Sequence, residues 1–207
     1  SAIESVGGVL NASTDREMTV YWTKVARPHF LLGLDVLVDM LLHPTMPEEE
    51  VERERNVILE ELAMTNDQPD ARVDLLIDET LWPAQAMGRD IGGSKESVMS
   101  ISRSMLIEYM GTQYRPNNTV IAISGNVTHE EVVDAVSRLL EVWEPATPMT
   151  FEPVREVPNG IRVSVEKRKT DQAHVCLGIP GLSMLDEQRY SLDLMNTVLG
   201  EGMSSRL

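Results

Sequence analysis

The segment from residue 144 to residue 158 contains four prolines, and it constrains the fold of this chain more than any other feature. Proline lacks a backbone N–H and has a fixed φ, so neither a helix interior nor an inner strand accepts it. The sequence therefore predicts a linker there. We expect a long first domain over residues 1–150, and over residues 151–207 the linker and the start of a second, truncated unit.

Strand and helix patterns alternate on both sides of this linker. Two β-rich runs joined by Asp15-Arg16 predict a hairpin over residues 7–25. Thr-x-x-Glu capping boxes at Thr45 and Thr128 predict two helices, one reaching about Thr65 and the other Trp143. Strands combined with segregated helices indicate an α+β fold with an antiparallel-rich sheet on which the helices pack. The other predicted segments are helices from Pro28 and over 69–81, 102–113 and 186–199, and strands over 119–124, 161–166 and 174–179.

Charge and cysteine content exclude several classes of function. The 33 acidic residues outnumber the 18 basic ones, and a net charge of −15 repels phosphate, so we exclude nucleic acid as a partner. The most apolar stretch, residues 30–42, is too short to span a bilayer. Cys176 is the single cysteine, so it cannot form an internal disulfide or a Cys-rich zinc site. It fits a reducing compartment, and we expect a cytoplasmic protein.

The stretch ERERNVILEEL, residues 52–62, carries four carboxylates, and a helical wheel divides them. Glu52 and Glu60 fall on the solvated face. Glu54 and Glu61 fall together at about 280–300°, at positions that the apolar pattern assigns to the core. An inward carboxylate should meet a cation, a metal or hydrogen-bond donors, because burying it unpaired costs several kcal/mol or more.

The wheel alone leaves alternatives open. Arg55 also falls in a largely apolar arc, and long charged side chains can snorkel. On the pattern alone, the favoured interpretation is that Glu54 and Glu61 are partly exposed acids paired to arginine or lysine. Their spacing of about 10.5 Å along the axis makes direct binding of one ion by both unfavourable, so one would be a ligand and the other its support. His29, His43, His129 and His174 offer no pair at a metal-binding spacing, and structural or surface roles are expected for all of them.

Six stretches together resemble the pitrilysin/insulinase family of zinc peptidases, which includes the mitochondrial processing peptidases. They stand in the family's order and span nearly the whole chain. The stretches are GGVLNASTDREMTVYW (7–22), ERERNVILEEL (52–62), MGRDIGG (87–93), YRPNNTVIAISGNV (114–127), DQAHVCLGIPG (171–181) and GEGMSSRL (200–207).

The resemblance implies unequal roles for the two inward glutamates. Family members hold zinc with an inverted His-x-x-Glu-His helix and a distant glutamate in a Glu-(six residues)-Glu pattern, which Glu54 and Glu61 match. Glu61 would be the third zinc ligand and Glu54 its supporter. The His-x-x-Glu-His segment is absent, so this chain supplies neither the catalytic base nor the two histidines. We expect zinc in a longer parent, the missing motif upstream of Ser1, and no zinc in this fragment.

The resemblance also implies a substrate edge. Family substrates add as a strand to a sheet edge, and Asn11 and Ala12 match that edge. Ser13 matches, more weakly, a position where larger residues line the substrate pocket. A backbone-capping role for the Asn11 side chain is the alternative. We expect a fragment of a zinc metalloendopeptidase that hydrolyses peptides or presequences, inactive alone, with a homologous partner domain or a second copy. The alternatives are a non-catalytic homologous subunit that binds peptide or completes a partner's chamber, and a plain structural α+β domain with Glu54 and Glu61 exposed.

Overall fold

The computed structural model of the protein describes residues 1–155 and 160–206. In these ranges the chain is helix-rich, with one small antiparallel sheet, which agrees with the predicted mixture of strands and helices. The chain groups into two compact units, Ser1–Asp67 with Asp90–Pro153, and Gln68–Arg89 with Val154–Leu207. These are spatial groupings, and the division into homologous domains after residue 150 stays a prediction.

Most of the predicted elements are present. Strands β1 (Val9–Thr14) and β2 (Thr19–Lys24) form the predicted hairpin, with Ala12 opposite Tyr21. The helices of the described residues are α1 (Phe30–Leu42), α2 (Glu48–Asp67), α3 (Pro69–Leu81), α4 (Lys95–Ser100), α5 (Arg103–Gln113), α6 (His129–Leu139) and α7 (Arg189–Gly200).

Side-chain caps explain where several helices begin. The Thr128 hydroxyl accepts from the Glu131 backbone N–H at 3.2 Å, which confirms that predicted helix start. Ser94 and Ser102 cap α4 and α5 in the same way. Helix α6 ends at Leu139, earlier than predicted, and the chain turns there, with the Trp143 backbone N–H donating to the Leu140 carbonyl at 3.0 Å. The Trp143 indole N–H donates to the Tyr114 carbonyl at 3.1 Å.

The core of the first unit lies between α1 and α6. Leu34 and Val38 of α1 pack against Ala135 of α6, and all three are buried. A Cβ added at Gly33 would lie 3.1 Å from a methyl group of Val25, so α1 approaches the end of the hairpin closely at this glycine. Helix α1 therefore contacts both α6 and the end of the hairpin.

Three predicted strands are wrong for the described residues. The segments 119–124, 161–166 and 174–179 take no part in any ladder, and their apolar residues are exposed, with Val120 at 92%. A strand needs a partner that pairs its N–H and C=O groups, and alternation of apolar residues cannot supply that partner. The pattern therefore did not decide whether these segments pair in a sheet.

The second unit contains α3, and the side chains of Ser164 and Glu166 contact this helix. The Thr80 hydroxyl donates to the Ser164 hydroxyl at 2.8 Å, and near the start of α3 the Arg72 guanidinium contacts Glu166 at 2.9 Å. Arg72 also contacts Glu79 at 2.9 Å, and these two carboxylates raise the pKa of the guanidinium. Across both units, none of the described helices is long and apolar enough to cross a membrane.

Candidate metal-ligand helix and substrate edge

Arg55 is the charged residue of α2 that turns inward. Its side chain is only 10% exposed and donates to the backbone carbonyls of Val98 and Ile101, the latter at 2.7 Å. These carbonyls belong to the carboxyl end of α4, where the helix leaves its own acceptors without partners. Arg55 also contacts Glu52 at 3.0 Å. It therefore ties α2 to the junction between α4 and α5.

Arg103, the first residue of α5, makes a reciprocal contact. Its guanidinium donates to the carbonyls of Met46 at 2.6 Å and Thr45 at 3.1 Å, in the turn that precedes α2. Met46 has a φ of 40°, a left-handed conformation that costs energy for a residue with a side chain. Arg103 thus fixes the turn before α2 against the start of α5, and Arg55 fixes which side of α2 faces the end of α4.

Glu54 and Glu61 are exposed, so the prediction that they point into the core is wrong. They share the outer surface of α2 with Val57 and Met64, which are 42% and 61% exposed. We call these four residues the Glu54–Glu61 face. The physical reason is that a helical wheel gives the angles between residues but does not show which side of the helix packs against a neighbour. Here the neighbour is α4, which packs against the side of α2 that carries Arg55.

The two carboxylates also have no partner within residues 1–155 and 160–206, so the alternative of pairing to arginine or lysine is wrong for this part of the chain. The two arginines of α2 form ion pairs with other acids: Arg53 contacts Glu50 at 2.7 Å, and Arg55 contacts Glu52. Exposure of the pair is what a plain structural domain predicts. Two unpaired carboxylates on one helix face can equally receive a cation from outside the described residues.

A zinc site is not complete within the described residues. A catalytic zinc takes three protein ligands, yet no three His, Cys, Asp or Glu side chains in the described ranges come together in a way that could hold a metal. Of the predicted structural histidines, His43 lies 3.0 Å from Asp39 one helix turn away. The described residues could therefore supply part of a zinc site but do not form a complete one. The roles of Glu61 as ligand and of Glu54 as its supporter stay predictions.

The predicted substrate edge is accessible. Asn11, Ala12 and Ser13 are consecutive in β1 and exposed. The Asn11 side-chain oxygen accepts a hydrogen bond from the Ala12 backbone N–H at 2.8 Å, so the capping alternative is present in this structure. The roles of Asn11 and Ala12 as substrate contacts stay predictions.

An aromatic anchor behind this edge was not predicted from the sequence. The hydroxyls of Tyr21 and Tyr114 lie 3.0 Å apart, and their rings meet edge to face with centroids 6.3 Å apart. Because Tyr21 is paired with Ala12, the contact fixes the hairpin at the position of the predicted substrate residues. Tyr114 follows α5 in a polar, proline-containing segment, and nothing in that pattern indicates a partner 93 residues earlier.

We expect the Tyr21–Tyr114 contact to make the free energy of unfolding decrease at alkaline pH. Burial, and then the hydrogen bond with Tyr21, raises the pKa of Tyr114 from 10.0 to about 12. A raised pKa means that the neutral phenol stabilises the fold below pH 10, and that this contribution is lost as the pH rises toward 12. Urea unfolding should therefore show a steeper loss of stability across this interval in the wild type than in Tyr114→Phe. Equal slopes would contradict the prediction, and Tyr109→Phe controls for the loss of a tyrosine.

Comparison of the sequence with family profiles gives two matches that together cover almost the whole chain. Residues 1–95 match the profile described as "Insulinase (Peptidase family M16)". Residues 100–207, more than half of the chain, match "Peptidase M16 inactive domain".

Individual relatives agree with these profiles. An uncharacterized zinc protease of Streptomyces coelicolor is 39% identical over 100% of this chain and 46% of its own length. The uncharacterized zinc protease YmxG of Bacillus subtilis is 35% identical over 100% of this chain and 50% of its own length. The chain thus spans about half the length of the curated relatives it matches. A crystal structure of a peptidase M16 inactive domain from Pseudomonas fluorescens shares the fold, with a TM-score of 0.80 at 16% identity over 99% of this chain and 50% of that one.

Proposed function

Since the chain belongs to the insulinase family of M16 peptidases, we propose that it is part of a zinc metalloendopeptidase that hydrolyses peptides or presequences. The observation that carries this proposal is the Glu54–Glu61 face. It displays two glutamates seven residues apart, the spacing that the resemblance assigns to the family's ligand and its supporter, without any competing ion pair in the described residues. Glu61 would supply one carboxylate ligand, and Glu54 would orient it.

The chain's second contribution is the binding of an extended substrate. In the described residues β1 pairs only with β2, so its other edge is free to pair with a further strand. Peptides that add to a sheet edge gain affinity from main-chain hydrogen bonds, which tolerate many side chains. The surrounding net charge of −15 favours basic peptides.

We propose that the isolated chain does not hydrolyse peptides. Support comes from the donor set, because the described residues bring no three metal-binding side chains together. The exposed apolar residues of the segments 161–166 and 174–179 also support a homologous partner domain or a second copy, since large exposed apolar surfaces commonly mark interfaces.

The test uses the full-length protein that contains this chain. We expect it to carry bound zinc and to cleave a quenched fluorescent peptide, with cleavage lost on chelation and restored by added zinc. Cleavage that persists in the presence of chelator would contradict the proposal. So would a preparation that neither contains nor binds zinc.

The match of residues 100–207 to an inactive domain supports a second candidate, a non-catalytic homologous subunit. Such a subunit would bind an extended peptide at the edge of β1 without cleaving it. Peptide binding by full-length protein that neither binds zinc nor hydrolyses peptides would favour this candidate over the enzyme.

A further inference from the structure

The direction of each backbone group in β1 follows from the pairing of the hairpin. The Asp15 N–H donates to the Met18 carbonyl at 2.8 Å, so this pair beside the turn is hydrogen-bonded. Hydrogen-bonded and non-hydrogen-bonded pairs alternate along an antiparallel ladder. The pair Ala12–Tyr21 is three positions further on and is therefore not hydrogen-bonded. The N–H and C=O of Ala12 thus point away from β2, toward the free edge of the sheet.

This free-edge donor is already occupied. The side-chain oxygen of Asn11 accepts from the Ala12 N–H at 2.8 Å. Asn11 lies in the middle of β1, not in the turn, so this bond is not needed to close the hairpin. Its effect is to satisfy one N–H on an edge that has no partner strand in the described residues. Exposed edges with unpaired N–H groups otherwise pair with other chains, and proteins commonly block them.

We propose that Asn11 is a removable cap on the substrate edge: its amide oxygen holds the Ala12 N–H in the free protein and gives it up to the carbonyl of an incoming peptide strand. The proposal rests on the proposed function, because it takes an extended peptide as the occupant. It adds a step to peptide binding, because the Asn11 side chain must release the Ala12 N–H before a peptide can bond to it.

The exchange is chemically balanced. A side-chain amide oxygen and a peptide carbonyl oxygen are the same kind of acceptor, so one N–H···O=C bond replaces another. The net change is small, and the cap slows unspecific pairing without preventing a peptide that forms several edge bonds. The released Asn11 amide then has a donor and an acceptor to offer to the peptide, which unites the capping and substrate-contact roles predicted for this residue.

Two substitutions at Asn11 separate a cap from a simple contact. Asn11→Ala removes the acceptor. Asn11→Asp keeps an acceptor at the same position and strengthens the bond, because charge-assisted hydrogen bonds are stronger than neutral ones. A cap therefore predicts opposite effects of alanine and aspartate on peptide association, whereas a contact made through the side-chain NH2 group is lost in both. Thr14→Ala, an exposed change three residues along the same strand and outside the predicted substrate contacts, is the matched control.

The first measurement is hydrogen exchange of the Ala12 amide in free full-length protein labelled with isotopic alanine. Relative to wild type, we expect about tenfold faster exchange in Asn11→Ala, equal or slower exchange in Asn11→Asp, and no change in Thr14→Ala. Unchanged exchange in Asn11→Ala would overturn the cap. This measurement needs no peptide, so it is independent of the proposed function.

The second measurement is the association rate of a fluorescein-labelled cationic peptide of alternating valine, lysine and threonine, added to chelator-treated protein. We expect about a tenfold increase for Asn11→Ala and about a tenfold decrease for Asn11→Asp. The added negative charge would by itself accelerate a cationic peptide, so a decrease cannot come from steering. Slower association in both variants would overturn the cap in favour of a contact. Absence of binding to wild type would contradict the proposed function and the displacement step, while the exchange rates would still decide whether the cap exists.

Discussion

Replacement of Glu61 by glutamine in the full-length protein is expected to remove bound zinc and to lower kcat/KM for peptide hydrolysis by more than about 100-fold. The estimate follows because loss of a residue that only supports a metal ligand already costs roughly 10–100-fold, and a ligand should cost more. Glutamine keeps the size and helix propensity of glutamate but removes the charge. Zinc content by atomic spectroscopy and kinetics on a quenched peptide measure the two effects.

Neighbouring acids provide the controls for this prediction. Glu60→Gln changes an exposed carboxylate on another face of α2 and should leave zinc content and activity within about twofold. Glu54→Gln should fall between the two, at roughly a 10–100-fold loss, because it would act on the zinc only through Glu61. Full activity in Glu61→Gln would reject the ligand assignment, and equal losses at Glu60 and Glu61 would point to a general charge effect.

Replacement of Arg55 by methionine is expected to cost about 2–4 kcal/mol of unfolding free energy, since each hydrogen bond to a charged group contributes roughly 1.5–3 kcal/mol. The loss arises because the carbonyls of Val98 and Ile101, at the end of α4, would have no replacement donor. Methionine retains most of the apolar stem, so the change tests the guanidinium. The midpoint and slope of urea unfolding measure the effect.

Arg53 offers a matched control two residues away. Its side chain is 69% exposed and pairs with Glu50 on the same helix, and exposed pairs contribute roughly 0–1 kcal/mol. Arg53→Met should therefore change stability by less than about 1 kcal/mol. Equal effects at Arg53 and Arg55 would contradict the inward role of Arg55 and, with it, the orientation assigned to α2.

The sequence by itself determined the local elements whose signals are contained in a few neighbouring residues. The hairpin of residues 9–24, the start of α6 at Thr128 and the span of α3 were all predictable, because turns, caps and helical periodicity are local. The family resemblance was readable for the same reason, since it rests on ordered short motifs. The absence of pairing at 119–124, 161–166 and 174–179 in the described residues was not predictable, because strand pairing depends on a distant partner.

The orientation of the candidate site was decided only by the tertiary structure. On the wheel, Glu54, Glu61 and Arg55 were all candidates for the inward position, and the sequence did not choose among them. Arg55 faces inward because its guanidinium donates hydrogen bonds to the carbonyls at the end of α4, and a carboxylate has no proton to donate to them. Glu54 and Glu61 consequently face outward, and Asn11 holds the free N–H of Ala12 for a similar reason: unpaired backbone groups take the nearest complementary side chain.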